Sequence, residues 1–268
     1  MVPPALPDRR AEPLDLSPAA PGAQRPRLTA SSALLVAPRS PLMTATTTLT
    51  TRAVLLDMDS TLVNSEAVVE RCWLRWADEQ GLNAADVLRV VHGRQGWATM
   101  AALLPDRPMT ENLADNRRML AQETADTDGV VPVPGAPAFM AALAGLPHAL
   151  VTSADRALAD ARMDAAGLPM PAVRITAESV GASKPDPEGF LKGAAELGYA
   201  PEECVVFEDS EAGIEAGRAA GMRVVGVGDR AAAFGPTVHV RDLTGIRVEA
   251  LPDGGLALHF PGQDAAGA

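Results

Sequence analysis

Hydrophobic positions along this chain fall into two rhythms. Short unbroken apolar runs occur at 53–56, His148–Thr152, Val173–Thr176, Cys204–Glu208 and Arg223–Val227, with 237–240 as a further candidate. A strand buried on both faces reads as a continuous run, so these predict the strands of a parallel sheet. Between them lie helical periods at 155–166, 187–197 and 211–220, each closed by a glycine (Gly167, Gly198, Gly221). Strands alternating with helices of about ten residues imply βαβ units.

The stretch from Glu66 to Ala125 has a different character, since no strand-like run interrupts it. Ser65 is placed to cap a helix carrying Ala67, Val68, Cys72, Leu74 and Trp76, which Gly81 ends. Further helices are predicted at 84–91, 96–104 and 110–125, with Trp97, Met100 and Leu103 on an inward face. The Pro-rich link 130–135 leads back to the alternating pattern. The chain therefore reads as an α/β protein: a Rossmann-like parallel sheet with a small all-helical cap inserted after the first strand. The expected boundaries are a core over 51–64 and 133–245, a cap over 65–132, and a C-terminal extension over 246–268 with a hairpin around Asp253-Gly254-Gly255. Residues 1–50 hold 9 of the 23 prolines and no sustained period, and are expected to be a disordered extension.

Composition narrows the partners. Net charge is −11, and beyond residue 50 there are 18 basic against 31 acidic residues, which argues against a nucleic-acid partner. No run reaches the roughly 20 apolar residues of a membrane span. Cys72 and Cys204 lie far apart without metal-type spacing, as in a reduced cytoplasmic protein. A small-molecule substrate, no nucleic acid, no membrane, and a monomer or weak dimer are expected.

The candidate chemistry sits at the ends of the predicted strands. Asp57 and Asp59 follow the run 53–56 and, two apart in an extended segment, face one volume, where two like charges call for a cation or a shared proton. Taken alone, the pair fits a strand end and turn as well as it fits a catalytic pair. Thr152-Ser153 ends a second strand just before a helix amino terminus, Lys184 lies in the Pro-flanked turn Ser183-Lys184-Pro185-Asp186-Pro187, and Glu208-Asp209 ends another strand. Each has a plain reading: a helix cap for Thr152, Ser153 or Asp209, and a solvated surface lysine for Lys184.

In order, the chain reads Asp-x-Asp-x-Thr, Thr-Ser, Lys-Pro-Asp-Pro, then Glu-Asp-Ser-x-Ala-Gly-Ile-x-Ala-Gly. This series resembles the haloacid dehalogenase-like superfamily over roughly residues 53–228. The helical insert looks like the cap of its β-phosphoglucomutase-like and sugar phosphatase-like members. Ser60 stands where many members carry Gly. The resemblance implies that Asp57 is the nucleophile and Asp59 the general acid and base, with Thr152, Ser153 and Lys184 holding the phosphoryl oxygens. It further implies Mg²⁺ on Asp57, the backbone carbonyl of Asp59, Asp209 and, less firmly, Glu208. His92-Gly93-Arg94 resembles a cap turn of sugar and glycerol phosphate phosphatases, where His92 and Arg94 would contact substrate; an exposed turn fits equally well. The function so implied is a Mg²⁺-dependent phosphatase of small phosphorylated sugars or polyols. The principal alternative is a phosphomutase of β-phosphoglucomutase type. A phosphoserine phosphatase fits less well, because its fourth motif runs Gly-Asp-Gly-x-Asn-Asp. A non-catalytic binding protein also fits less well, because all four motifs are intact.

Overall fold

The computed structural model describes residues 47–91 and 94–261. Its elements run β1 (Thr47–Thr51), β2 (Ala53–Leu56), β3 (Val63–Asn64), α1 (Glu66–Gln80), α2 (Ala84–Leu88), α3 (Gly96–Leu103) and α4 (Met109–Ala125). They continue as β4 (Val131–Pro132), α5 (Ala136–Ala142), β5 (His148–Val151), α6 (Arg156–Ala165), β6 (Val173–Ile175) and α7 (Glu188–Leu197). The last are β7 (Cys204–Glu208), α8 (Glu211–Ala219), β8 (Arg223–Val227), β9 (Val238–Val240), β10 (Arg247–Ala250) and β11 (Leu256–Phe260).

Six parallel strands form the main sheet in the order β6-β5-β2-β7-β8-β9. β2 is central and entirely buried. Its alternate side chains enter two different apolar layers, which is why no polar residue interrupts the run. Val54 and Leu56 join Phe139, Met140, Leu158 and Phe207 on one face; Ala53 and Leu55 join Phe190, Ala194, Ile214 and Val206 on the other. Both cysteines are buried and unpaired, and among the described residues no helix is long and apolar enough to cross a membrane.

The insert leaves and re-enters through a two-stranded ribbon, because β3 pairs antiparallel with β4, a segment expected to be only a link. Within it, Trp73, Trp76, Val87, Met100 and Met119 form the apolar centre, with the two indoles edge to face at 5.4 Å. Leu74, one of the apolar positions noted in α1, is exposed, whereas Trp73 is buried. Trp97 is half-buried, its indole N–H donating to the Gln95 side chain.

Two further differences from expectation lie outside the main sheet. The unstructured extension is expected to reach residue 50, yet Thr47–Thr51 forms an edge strand on β11, which in turn pairs with β10 to complete the expected C-terminal hairpin. A mostly exposed, Thr-rich strand has no apolar run to reveal it, and its partner lies some 200 residues away. The helix α5 is also unforeseen; it is short and holds Pro137 in its first turn, where proline is tolerated.

Gly135 opens α5 with φ 84° and lies against the Leu243–Thr244 backbone, where a Cβ would overlap main-chain atoms. Backbone cannot move aside as a side chain can. Gly135→Ala should therefore destabilise by about 2 kcal/mol or more. Gly198→Ala, at the similar φ of 83° but in open space, should cost only about 1 kcal/mol. Equal losses in denaturant titrations would remove the close approach as the cause.

Candidate active site

Three neighbouring strands, β5, β2 and β7, carry polar residues at their carboxyl ends, and the loop after β6 brings a fourth group to the same place. This is where ligands bind in open α/β sheets. Asp57 follows β2, its N–H bonded to the Phe207 carbonyl at 3.0 Å. Thr152 follows β5, Lys184 lies in the loop between β6 and α7, and Glu208 and Asp209 close β7. Asp57, Thr152, Lys184, Glu208 and Asp209 are all buried.

Lys184 is far from a solvated surface lysine. Its Nζ donates to Asp57 Oδ1 at 2.6 Å and to Glu208 Oε1 at 2.7 Å, and it lies 5.2 Å from the centre of the Phe190 ring. Burial works against its charge, but the two carboxylates outweigh that and hold the ammonium above its ordinary range. Glu208 also accepts from the Ser210 N–H and hydroxyl, at 2.8 and 2.9 Å. Its carboxylate occupies the space where a Cβ on Gly213 would be. Glycine in the first turn of α8 is thus a steric condition for the buried Glu208.

The plain capping readings fail at both helix starts where they were available. The cap of α8 is Ser210, accepting from the Gly213 N–H at 3.1 Å, which leaves Asp209 to face the site. The cap of α6 is Asp155, accepting from the Leu158 N–H at 2.8 Å. Thr152 Oγ1 accepts from the Ala154 N–H at 3.1 Å.

Carboxylate oxygens of Asp57, Glu208 and Asp209 lie within 4.8 Å of one another. Hard oxygen donors at this spacing suit a divalent cation of the Mg²⁺ or Ca²⁺ kind. Their electrostatics point the same way. Burial, opposed by Lys184 and reinforced by Glu208 and Asp59, pushes the Asp57 carboxyl up to about 7. Burial together with Glu208 and Asp57 raises Asp209 well above its ordinary range, against the pull of Arg230.

The side chain of Asp59 stands apart from this cluster. Its Oδ1 accepts from Ser65 Oγ at 2.7 Å and its Oδ2 pairs with Arg162 Nη1 at 2.8 Å. Ser65, expected to cap α1, makes no side-chain capping bond and serves Asp59 instead. Arg162 also pairs, at 2.6 Å, with Glu123 of α4. Burial pushes that carboxyl up to about 7, against Arg162 and with Asp59 adding to the rise. Neither Arg162 nor Glu123 stands out in the sequence, since each looks like an ordinary charge on an amphipathic helix. Ser60 has φ 59°, a left-handed conformation that explains a preference for glycine there.

One cavity joins the site to the insert: Asp57, Asp59, Thr152, Ser153 and Asp209 line its floor, and Trp73, Arg94, Asn116 and Glu123 its roof. Arg94 is exposed at its edge. His92 lies outside the described residues.

Residues 51–221 match the family model of haloacid dehalogenase-like hydrolases. The chain is 42% identical over 175 residues to hexitol phosphatase A of Escherichia coli (strain K12), covering 65% of this chain and 81% of that protein. It is 32% identical over 197 residues to glycerol-1-phosphate phosphohydrolase 2 of Saccharomyces cerevisiae, covering 69% and 78%. Among solved structures, a β-phosphoglucomutase from Clostridium difficile superposes with a TM-score of 0.64 over 72% of this chain and 92% of that one. At 19% identity, that likeness concerns the fold alone.

A buried acid held above its ordinary range contributes stability while protonated and loses it as pH rises. In metal-free protein, Asp209→Asn should therefore melt higher than wild type, by a margin that widens as pH rises above the ordinary carboxylate range. Added Mg²⁺ should narrow that margin by stabilising the wild type. A margin independent of pH and metal in calorimetric scans would show that Asp209 bears no such charge penalty.

Proposed function

The chain belongs to the haloacid dehalogenase-like hydrolases, and from that premise we propose that it is a Mg²⁺-dependent phosphatase of small phosphorylated sugars or polyols, working through an aspartyl phosphate in the cytoplasm. The observation that carries this reading is the convergence of Asp57, Thr152 and Asp209 on a cavity roofed by the insert, with the buried Lys184 bonded to Asp57. Relatives acting on a hexitol phosphate and a glycerol phosphate support the substrate class. Phosphoryl transfer asks a protein mainly to position groups and balance charge, and this set does both.

An Asp57 carboxylate oxygen forms a bond to phosphorus as the ester oxygen departs with a proton from Asp59. Asp59 then takes a proton from water, which attacks the phosphorus of the aspartyl phosphate. The bond to Asp57 breaks and inorganic phosphate is released. Lys184, already 2.6 Å from Asp57, and the Thr152 and Ser153 groups hold the phosphoryl oxygens as charge redistributes. Asp57, Glu208, Asp209 and the backbone carbonyl of Asp59 would hold the cation. Bound there, Mg²⁺ supplies positive charge that favours the ionised Asp57 and offsets the phosphoryl oxygens. Arg94, a permanent forked donor at the cavity edge, is suited to a substrate's distal hydroxyls.

A phosphatase and a phosphomutase would share this floor and differ in what the roof holds after the first transfer. With Mg²⁺ and a panel of hexitol, hexose and glycerol phosphates, free phosphate should appear stoichiometrically with the free alcohol. Conversion of a hexose 1-phosphate to the 6-phosphate with little free phosphate would instead establish the mutase.

Asp57→Asn should release no phosphate above background from any ester while keeping wild-type circular dichroism, since an amide is no substitute for the attacking carboxylate. Wild-type-like turnover in this variant would remove Asp57 from the reaction.

A further inference from the structure

The buried guanidinium of Arg162 touches neither the acidic cluster nor Lys184, yet it ends on Asp59. It rises from α6 of the core with Nη1 at 2.8 Å from Asp59 Oδ2 and Nη2 at 2.6 Å from Glu123 Oε2. The Arg162 side chain is 3% exposed and that of Glu123 7%, whereas Asp59 keeps 32% of its side chain open to the cavity. The pair thus joins a helix of the insert to a helix of the core where both side chains are buried, and the one partly open member is Asp59.

Replacing a buried ion pair with apolar groups of similar volume is often neutral or stabilising, so stability is a weak reason for this arrangement. What a planar fork does well is fix two carboxylates relative to one another. Arg162 Nε, moreover, is buried with no hydrogen-bond partner. The guanidinium is therefore oriented toward its two acids at the expense of one of its own donors, a cost that buried polar groups rarely bear. Asp59 has its other oxygen on Ser65 Oγ at 2.7 Å. Its carboxylate plane is consequently determined by two neighbours, of which only Arg162 carries charge.

We propose that Arg162 is a positioning residue for the proposed acid and base Asp59, itself held in place by Glu123 of the insert. The inference rests on the phosphatase reading above. A proton delivered to a leaving oxygen must come from a group at hydrogen-bonding distance with the right orientation, and a misplacement of about 1 Å can cost on the order of 10²-fold in rate. Without Arg162, Asp59 retains only the Ser65 contact and swings into the open part of the cavity. Asp57, bonded to Lys184 and not to Arg162, keeps its place, so phosphoryl transfer with a good leaving group is spared.

The test compares glycerol 1-phosphate and a hexitol phosphate, whose alkoxides need a proton to leave, with 4-nitrophenyl phosphate, which does not. For Arg162→Gln, kcat on the alkyl esters should fall roughly 10- to 100-fold, with a much smaller fall on the aryl ester. Glu123→Gln, close to isosteric, should show the same leaving-group selectivity to a lesser degree. It also keeps the test decisive should Arg162→Gln fail to fold. Arg162→Lys should recover little of the alkyl ester rate, because one ammonium cannot span both acids. In an Asp59→Asn background, adding Arg162→Gln should slow alkyl ester turnover no further, since its effect runs through Asp59. Equal losses on alkyl and aryl esters, or losses that multiply with Asp59→Asn, would overturn the positioning role and leave Arg162 structural. Wild-type protein that releases phosphate from none of these esters would instead overturn the phosphatase reading itself, and the inference with it.

Discussion

The site depends on a buried ammonium that must be matched by buried carboxylates. An unpaired lysine in the interior would surrender its proton rather than bear the desolvation cost. Lys184 keeps its charge because Asp57 and Glu208 reach it from two adjacent strands, β2 and β7. Those strands are held side by side by a ladder that ends at the acids, so the sheet register sets the separation of the charges. The Ser210 contacts and the missing side chain of Gly213 follow from the same constraint, since they let Glu208 lie fully buried against the start of α8. A cation held by Asp57, Glu208 and Asp209 would share this acidic cluster with Lys184, which would tie metal binding to the position of the lysine.

The main sheet was largely legible because each of its strands announces itself locally. An apolar run buried on both faces differs from everything around it, and the glycines at 167, 198 and 221 mark the helix ends with positive φ. Local signals fail where structure is set by distant partners. β1 is a polar strand made stable by β11, and the β3–β4 ribbon is too short to leave a pattern. The motif residues were legible for a related reason: spacing after a strand end is a local quantity. Asp57, Thr152, Glu208 and Asp209 follow from that rule, Lys184 from its Pro-flanked turn, and the structure brings Asp57, Lys184, Glu208 and Asp209 together. Arg162 and Glu123 could not be found in this way, because a buried pair between helices 39 residues apart looks, in sequence, like two solvated charges.

The insert adds what the sheet cannot supply. Under the proposed function the acids, with Lys184 beside Asp57, would hold only the phosphoryl group and a cation, and nothing among them distinguishes one ester from another. Trp73, Arg94, Asn116 and Glu123 lie opposite, on the roof of the same cavity. Gly96 leaves room for the Asn116 side chain, which a methyl there would strike. On that reading, discrimination among alcohols would fall to the insert, where binding to a remote part of the substrate could be used to align the reacting atoms below.

Polar residues that face the crevice are relieved of the structural roles open to them. Asp209 and Thr152 stand two and four residues before the first residues of α8 and α6, close to the positions where such side chains ordinarily serve as caps. In each case a residue one to three positions later, Ser210 or Asp155, takes the cap. Ser65 shows the converse: it sits at the cap position of α1, yet gives its hydroxyl to Asp59. A polar residue near a strand end is thus most informative when a second polar residue stands ready to do its structural work, because the first is then free to face the crevice. That criterion needs only the order of residues along the chain. It separates Asp209, backed by Ser210, from an isolated capping acid such as Asp155, which has no such substitute and is used for its helix alone.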